Sequence, residues 1–93
     1  MRRASKADGN QPDIVKRLRS VGVKVYHTHQ VGGGFPDLLC WARGRFFLVE
    51  VKELGEGLNP NQVVFFAECP GELHIARTPD EAVLAAVGEE EMK

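Results

Sequence analysis

Two short apolar runs, Leu38-Leu39-Cys40-Trp41 and Phe46-Phe47-Leu48-Val49, lie on either side of Arg43-Gly44, and their spacing constrains this chain more than any other feature. Apolar runs of this length around a glycine read as the two strands of a hairpin. Folded back about Arg43-Gly44, paired positions sum to 87, which sets Asp37 directly opposite Glu50. Opposite residues have Cβ atoms roughly 4.5–5.5 Å apart, so two carboxylates share one end of the hairpin. Strand alternation then puts Lys52 on the face of Glu50, one step further along. A two-residue loop prefers Asn-Gly or Asp-Gly because both positions need positive φ, and Arg43 is a poor first residue. A four-residue loop over 42–45 keeps the same pairing, whereas a bulge shifts it.

Paired carboxylates beside an ammonium suit a particular chemistry. Hard divalent cations take oxygen ligands, usually one or two carboxylates with water and substrate phosphates, and a bound cation activates water and offsets charge on a phosphodiester. Lys52 would orient the attacking water or stabilise a pentavalent phosphorane. The plainer reading is a surface aspartate at a strand start and a Glu-Lys pair on an edge strand. Against it, charges at the end of two apolar strands are costly without a use.

Gly34-Phe35-Pro36-Asp37, a spacer, Glu50-Val51-Lys52 and then Asn59-Pro60-Asn61-Gln62 opening a helix resemble the PD-(D/E)xK nuclease superfamily. More narrowly the chain resembles the stand-alone VRR-NUC domains common in phages and prophages. The similarity runs from about Asn10 to Gly88 and includes the leading pattern Asn10, Gln11, Ile14, Leu18 and Gly22. It implies an α/β fold with a restriction-endonuclease-like core, a mixed central sheet of about four strands flanked by helices in the order αβββαβα. It also implies Asp37, Glu50 and the backbone carbonyl of Val51 as ligands of Mg²⁺ or Mn²⁺, Lys52 as the catalytic lysine and Gln62 as a supporting polar residue. The implied activity is metal-dependent hydrolysis of DNA phosphodiesters, directed at a DNA structure more than a sequence. Stand-alone members resemble homodimeric enzymes that resolve Holliday junctions. A flap or nicking nuclease, a non-catalytic DNA-binding protein on the same fold and an RNA-directed nuclease are the alternatives.

One position departs from that pattern. Many members carry a glutamate on the first helix that reaches the site, where this chain offers Asn10, Gln11 and Asp13. Asn10 or Gln11 is expected in that slot, holding a metal-bound water without adding charge. Asn10 also reads as a helix N-cap.

With 93 residues, the chain is long enough for one domain with one modest core. A flexible basic arm over 1–9, a domain over 10–88 and an acidic tail over 89–93 are expected. No stretch approaches a membrane span, and Met1-Arg2-Arg3-Ala4-Ser5-Lys6 lacks the apolar segment of a signal peptide. A cytoplasmic protein of a bacterium or phage-infected host is therefore expected. Cys40 reads as a buried small hydrophobe and Cys69 as a free thiol, as a reducing compartment allows. Residues 1–52 hold ten Lys or Arg against four Asp or Glu, a balance of +6, and residues 53–93 hold two against nine, a balance of −7. Lys16, Arg17, Arg19, Arg43 and Arg45 thus accompany the carboxylates, as binding of a phosphate backbone requires. Gly33 and Gly34, in the triplet Gly32-Gly33-Gly34, permit close backbone approach to a phosphate or serve as a hinge.

The remaining elements follow from periodicity. A helix is expected over 11–21 with the stripe Ile14, Leu18 and Val21, then a strand over 23–28 with Val23, Val25 and His27 on one face. The hairpin strands are apolar on both faces, which predicts burial on both sides. Asn59 caps a helix whose Phe65 and Phe66 are expected in the core. A strand over 72–77 and a helix opened by a Thr78-Pro79-Asp80-Glu81 capping box complete the chain. His27 and His29 read as surface residues of a strand end or as substrate contacts. Trp41 is expected beneath a helix, or stacked on a base.

Overall fold

The computed structural model describes residues 9–88. They form α1 (Gln11–Ser20), β1 (Lys24–His27), β2 (Leu38–Ala42), β3 (Arg45–Val51), α2 (Pro60–Glu68), β4 (Leu73–Ala76) and α3 (Pro79–Val87). The expected basic arm, apart from Gly9, and the acidic tail lie outside the described residues. The order is αβββαβα, and the strands form one mixed sheet in the order β1-β2-β3-β4, with β4 parallel to β3 and the other pairs antiparallel. No helix among the described residues is long and apolar enough to cross a membrane.

The hairpin closes through two residues. Ala42 pairs with Arg45 and Leu38 with Val49, the register that places Asp37 across from Glu50. Arg43 at φ 56° and Gly44 at φ 78° both take positive values, as a tight hairpin whose twist matches the strands demands. Arg43 accepts a conformation that costs a non-glycine residue about 1 kcal/mol, and the register of the flanking strands over-determines it.

Period-2 alternation sorts the sheet into two unequal faces. Val25, Leu38, Cys40, Phe47, Val49 and Val51 are buried on one of them, beneath Ile14, Val15 and Leu18 of α1 and Ala82 and Ala86 of α3. Each large side chain buried there contributes roughly 1.5–3 kcal/mol. The two alanines let α3 lie close to the sheet and to α1. Burial pushes the Cys40 thiol up to about 12, which suits a small apolar core residue. α1 stops one residue short of the expected stripe: the Val21 and Gly22 amides turn back to Leu18 and Arg19, and Val21 is exposed.

The opposite face corrects the expectation of burial on both sides. Leu39, Trp41 and Leu48 are only half-buried and Phe46 is 64% exposed. α2 belongs to this side, yet none of its residues is buried, and Phe65 and Phe66 are half-buried instead of core. The expected capping box of α3 is also modified. Thr78 Oγ1 accepts from the Glu81 amide, but the Glu81 carboxylate reaches the amide of Arg77 and not that of Thr78.

Two arginines expected on DNA have structural work. Arg45 donates through Nε to Glu72 and through Nη1 and Nη2 to the carbonyls of Ala86 and Ala85, all within 2.7 Å. Its guanidinium thereby satisfies carbonyls that the end of α3 leaves open, and the bond to Arg45 holds the Glu72 carboxyl below its ordinary value. Arg43 and Arg45 also sit at the hairpin tip, roughly 20 Å from Asp37 by strand rise. Arg17 pairs with Asp80 at 2.6 Å, tying α1 to the start of α3. Arg45→Ala is expected to lower unfolding free energy by about 2 kcal/mol while leaving DNA affinity unchanged, as urea melts and an anisotropy titration will read; a normal melt with weakened DNA binding would reverse that assignment.

Candidate active site

The site grows from the open end of the hairpin. Just before β2, the Asp37 carbonyl accepts from the Thr28 amide at 2.7 Å, and Thr28 Oγ1 donates to the Pro36 carbonyl at 2.8 Å. These bonds extend the β1–β2 pairing by one step and stop the aspartate backbone from swinging away. Across the hairpin, Asp37 Oδ2 accepts from the Val51 amide at 2.8 Å. The N–H and C=O of one strand residue point to the same strand edge, so the Val51 carbonyl also faces Asp37.

Glu50, next along β3, is 2% exposed, and Lys52 is 8% exposed. A carboxylate this deep requires donors. Lys52 Nζ stands 3.8 Å from Glu50 Oε2, and Gln62 Nε2 donates to the same oxygen at 2.8 Å. Gln62 is itself held at both ends. Its amide nitrogen donates to Asn59 Oδ1, and its side-chain Oε1 accepts from the Asn59 amide, each at 2.9 Å. The capping box that starts α2 is thus the clamp that aims Gln62 at Glu50. Asn59 gains a positioning role beyond its expected cap, and the signal for it was in the sequence: the same glutamine serves both the box and the site.

Asp37, Glu50, Lys52, Gln62, Gly33 and Gly34 line one cavity of about 370 Å³. The two glycines differ. A Cβ on Gly34, at φ 88°, would stand 2.5 Å from the Asn61 carbonyl oxygen, so its missing side chain lets the loop pack on the first turn of α2. A Cβ on Gly33, at φ 66°, would meet nothing within 4 Å, so its backbone conformation and not packing favours glycine, and the residue is exposed. Phe35 and Phe65 meet edge to face at 5.3 Å and fix the same loop against α2. His29 lines this cavity too, a position compatible with the second of its two expected readings, contact with substrate.

Other expected site residues stand elsewhere. Asn10 does not cap α1 with its side chain. Its Nδ2 donates to the carbonyls of Lys52 and Arg77 at 2.9 and 3.0 Å, so it ties the helix start to the ends of β3 and β4. It is absent from the lining of the carboxylate cavity. Gln11 is buried, and its Nε2 stands 3.1 Å from His27 Nδ1. Lys16 and Arg19 flank that pair on the outer side of α1. Burial first, then the charges of Arg19 and His29, lower the His27 pKa below its ordinary 6.5.

Asn10→Ala leaves two strand-end carbonyls without donors and is expected to cost about 2 kcal/mol of stability, read by chemical denaturation. The unfolded chain binds a proton at His27 more readily than the fold does, so stability is full above pH 6.5 and declines as pH falls below it. Melting temperatures followed from pH 7.5 down through that value are expected to drop less steeply in His27→Gln; parallel curves would show that His27 does not contribute.

No individual curated protein matches the chain. The family model of the VRR-NUC domain, by contrast, matches residues 4–78, a stretch that takes in the hairpin, its carboxylates, Lys52 and the clamp of Asn59 and Gln62. The chain belongs to the VRR-NUC domain family, and it is a nuclease-type domain that acts on DNA.

Proposed function

We propose that this domain is a metal-dependent DNA endonuclease that hydrolyses phosphodiesters in branched DNA, four-way junctions foremost, as a homodimer using Mg²⁺ or Mn²⁺. The observation that carries the reading is the meeting of Asp37, Glu50 and Lys52 on one cavity, with Gln62 locked onto Glu50. The donor set suits a hard divalent cation, which takes one or two carboxylates and completes its shell with water and phosphate oxygen. Among the described residues no group of three or more His, Cys, Asp and Glu gathers at metal-binding distance, so the two carboxylates would need backbone carbonyl, water and phosphate oxygen to complete a shell. Asp37, Glu50 and the Val51 carbonyl would hold the ion. When bound, it supplies a Lewis acid for the phosphate and lowers the pKa of water.

The protein's own residues do the rest. Lys52 presents an ammonium beside Glu50 that orients the attacking water or stabilises charge on the phosphorane. Gln62 and Asn59 keep the Glu50 carboxylate in one rotamer, and the exposed Gly33 lets the phosphodiester approach. Neither Asn10 nor Gln11, the expected occupants of the helix-one position, lines the carboxylate cavity, so the ion would rest on two carboxylates and bind more weakly than at a site with a third. The homodimer is supported by the half-covered sheet face, where Tyr26, Trp41 and Phe46 meet in a row, tilted and then edge to face, with centroids 4.8 and 5.1 Å apart. Two-fold symmetry would deliver paired cuts to a junction.

Cleavage of labelled four-way junction, 5′ flap, linear duplex and single strand in Mg²⁺, Mn²⁺ or EDTA tests the reading. Wild type is expected to nick the junction in symmetric pairs only with metal, and Asp37→Ala, Glu50→Gln and Lys52→Met are each expected to lose at least a hundredfold in rate. Gln62→Ala is expected to lose less, since it acts through Glu50. Metal-independent cutting, or full activity in Asp37→Ala, would sink the site assignment. Junction binding without cutting of any substrate would establish instead a binding protein on this fold.

A further inference from the structure

A second concavity adjoins the carboxylate cavity, and none of the chemistry above uses it. It is a groove of about 480 Å³ between α1 and the end of β1, within the size range of small-molecule sites. Pro12 and Val15 give it an apolar floor, and the rings of His27 and His29, edge to face with centroids 5.9 Å apart, form a wall. His29 lines both this groove and the carboxylate cavity. Whatever occupies the groove is therefore one side chain away from Asp37 and Glu50.

Polar atoms mark the groove as built for a ligand. Gln11 is 1% exposed, and its Oε1 is buried with no hydrogen-bond partner among the described residues; His29 Nδ1 is in the same condition. With the His27 proton on Nε2, Gln11 Nε2 donates to His27 Nδ1 and Oε1 is left as an acceptor. A buried acceptor without a partner is a standing cost to the fold, relieved by a ligand that brings an N–H. At the rim, Lys16 and Arg19 lie three residues apart and are exposed on one side of α1. Arg19 gives Nη2 to the Val25 carbonyl, which tethers its guanidinium to β1 beside the groove. Flat rings, a buried acceptor and two cations outside together complement a nucleobase with its phosphate.

Resting on the nuclease reading, we infer that this groove takes the base of one unpaired nucleotide next to the scissile phosphate. The base lies against His27 and His29 and donates an N–H to Gln11 Oε1, and the flanking phosphate meets Lys16 and Arg19. A base inside a duplex cannot reach such a pocket without leaving its stack. The groove therefore selects DNA already splayed beside the cut, which makes His29 and Gln11 specificity-determining residues.

The test is binding in EDTA, where cutting does not interfere, to a labelled fork with single-stranded arms. One tetrahydrofuran abasic residue is walked through the first unpaired positions. Wild type is expected to lose about tenfold in affinity at one position and little at the others. In His29→Ala, and in Gln11→Leu if it melts normally, intact and abasic forks are expected to bind alike. Lys16→Ala and Arg19→Ala are expected to weaken both forks equally and to flatten the salt dependence. A flat abasic walk in wild type, or a position-specific loss undiminished in His29→Ala, overturns the groove assignment. If the intact fork is still cut in Mg²⁺, the nuclease reading survives that result; no binding and no cutting of any fork overturns both.

Discussion

A carboxylate that is 2% exposed at the end of an apolar strand obliges the surrounding structure to supply donors, and much of this fold is arranged around that obligation. Glu50 draws Lys52 from its own strand and Gln62 from the following helix. The link to Gln62 explains why α2 sits where it does although it buries none of its residues. Polar anchoring, one ring pair and the close approach of Gly34 to Asn61 hold this helix, where an apolar face holds α1. An ion pair buried in this way is weak evidence for stability, because desolvation consumes most of its attraction. It is much better evidence for chemistry.

The sheet divides labour between its faces. One is sealed by α1 and α3 and carries the core. The other carries Asp37, Glu50 and Lys52 at one end and half-covered aromatic residues along the rest. Period-2 alternation makes the two inseparable: the strands that fill the core with Val49 and Val51 present Glu50 to the opposite side. A one-residue slip in register would bury the charges and expose the core. The tight turn at Arg43-Gly44 guards against this, at the cost of a left-handed arginine.

Basic residues that look alike in sequence have diverged in use. Arg45 finishes a helix, Arg17 joins two helices, and Lys16 and Arg19 line the groove beside His27. The net positive charge of the first half is thus an unreliable guide to DNA contacts, because a guanidinium answers helix carbonyls and carboxylates as readily as phosphates. Helix one shows the same economy with amides. Asn10 and Gln11 adjoin in sequence, but one ties strand ends together and the other faces the groove.

The sequence by itself determined the hairpin, its register, the facing pair Asp37 and Glu50, Lys52 beside them, and the order of elements. These follow from local rules: alternation, turn length and capping residues act over a few positions and leave little choice. The cap at Asn59 was legible for the same reason, and the structure adds Gln62 as the other half of its box. Only the tertiary structure decided that α2 stays half-exposed, that Arg45 belongs to α3, that Asn10 bridges two strand ends and that His29 borders the carboxylates. Each of these joins partners many residues apart, as Arg45 to Ala86 or Asn10 to Arg77. Side-chain hydrogen bonds carry no periodicity, so which donor meets which acceptor is settled only when packing brings them within about 3 Å.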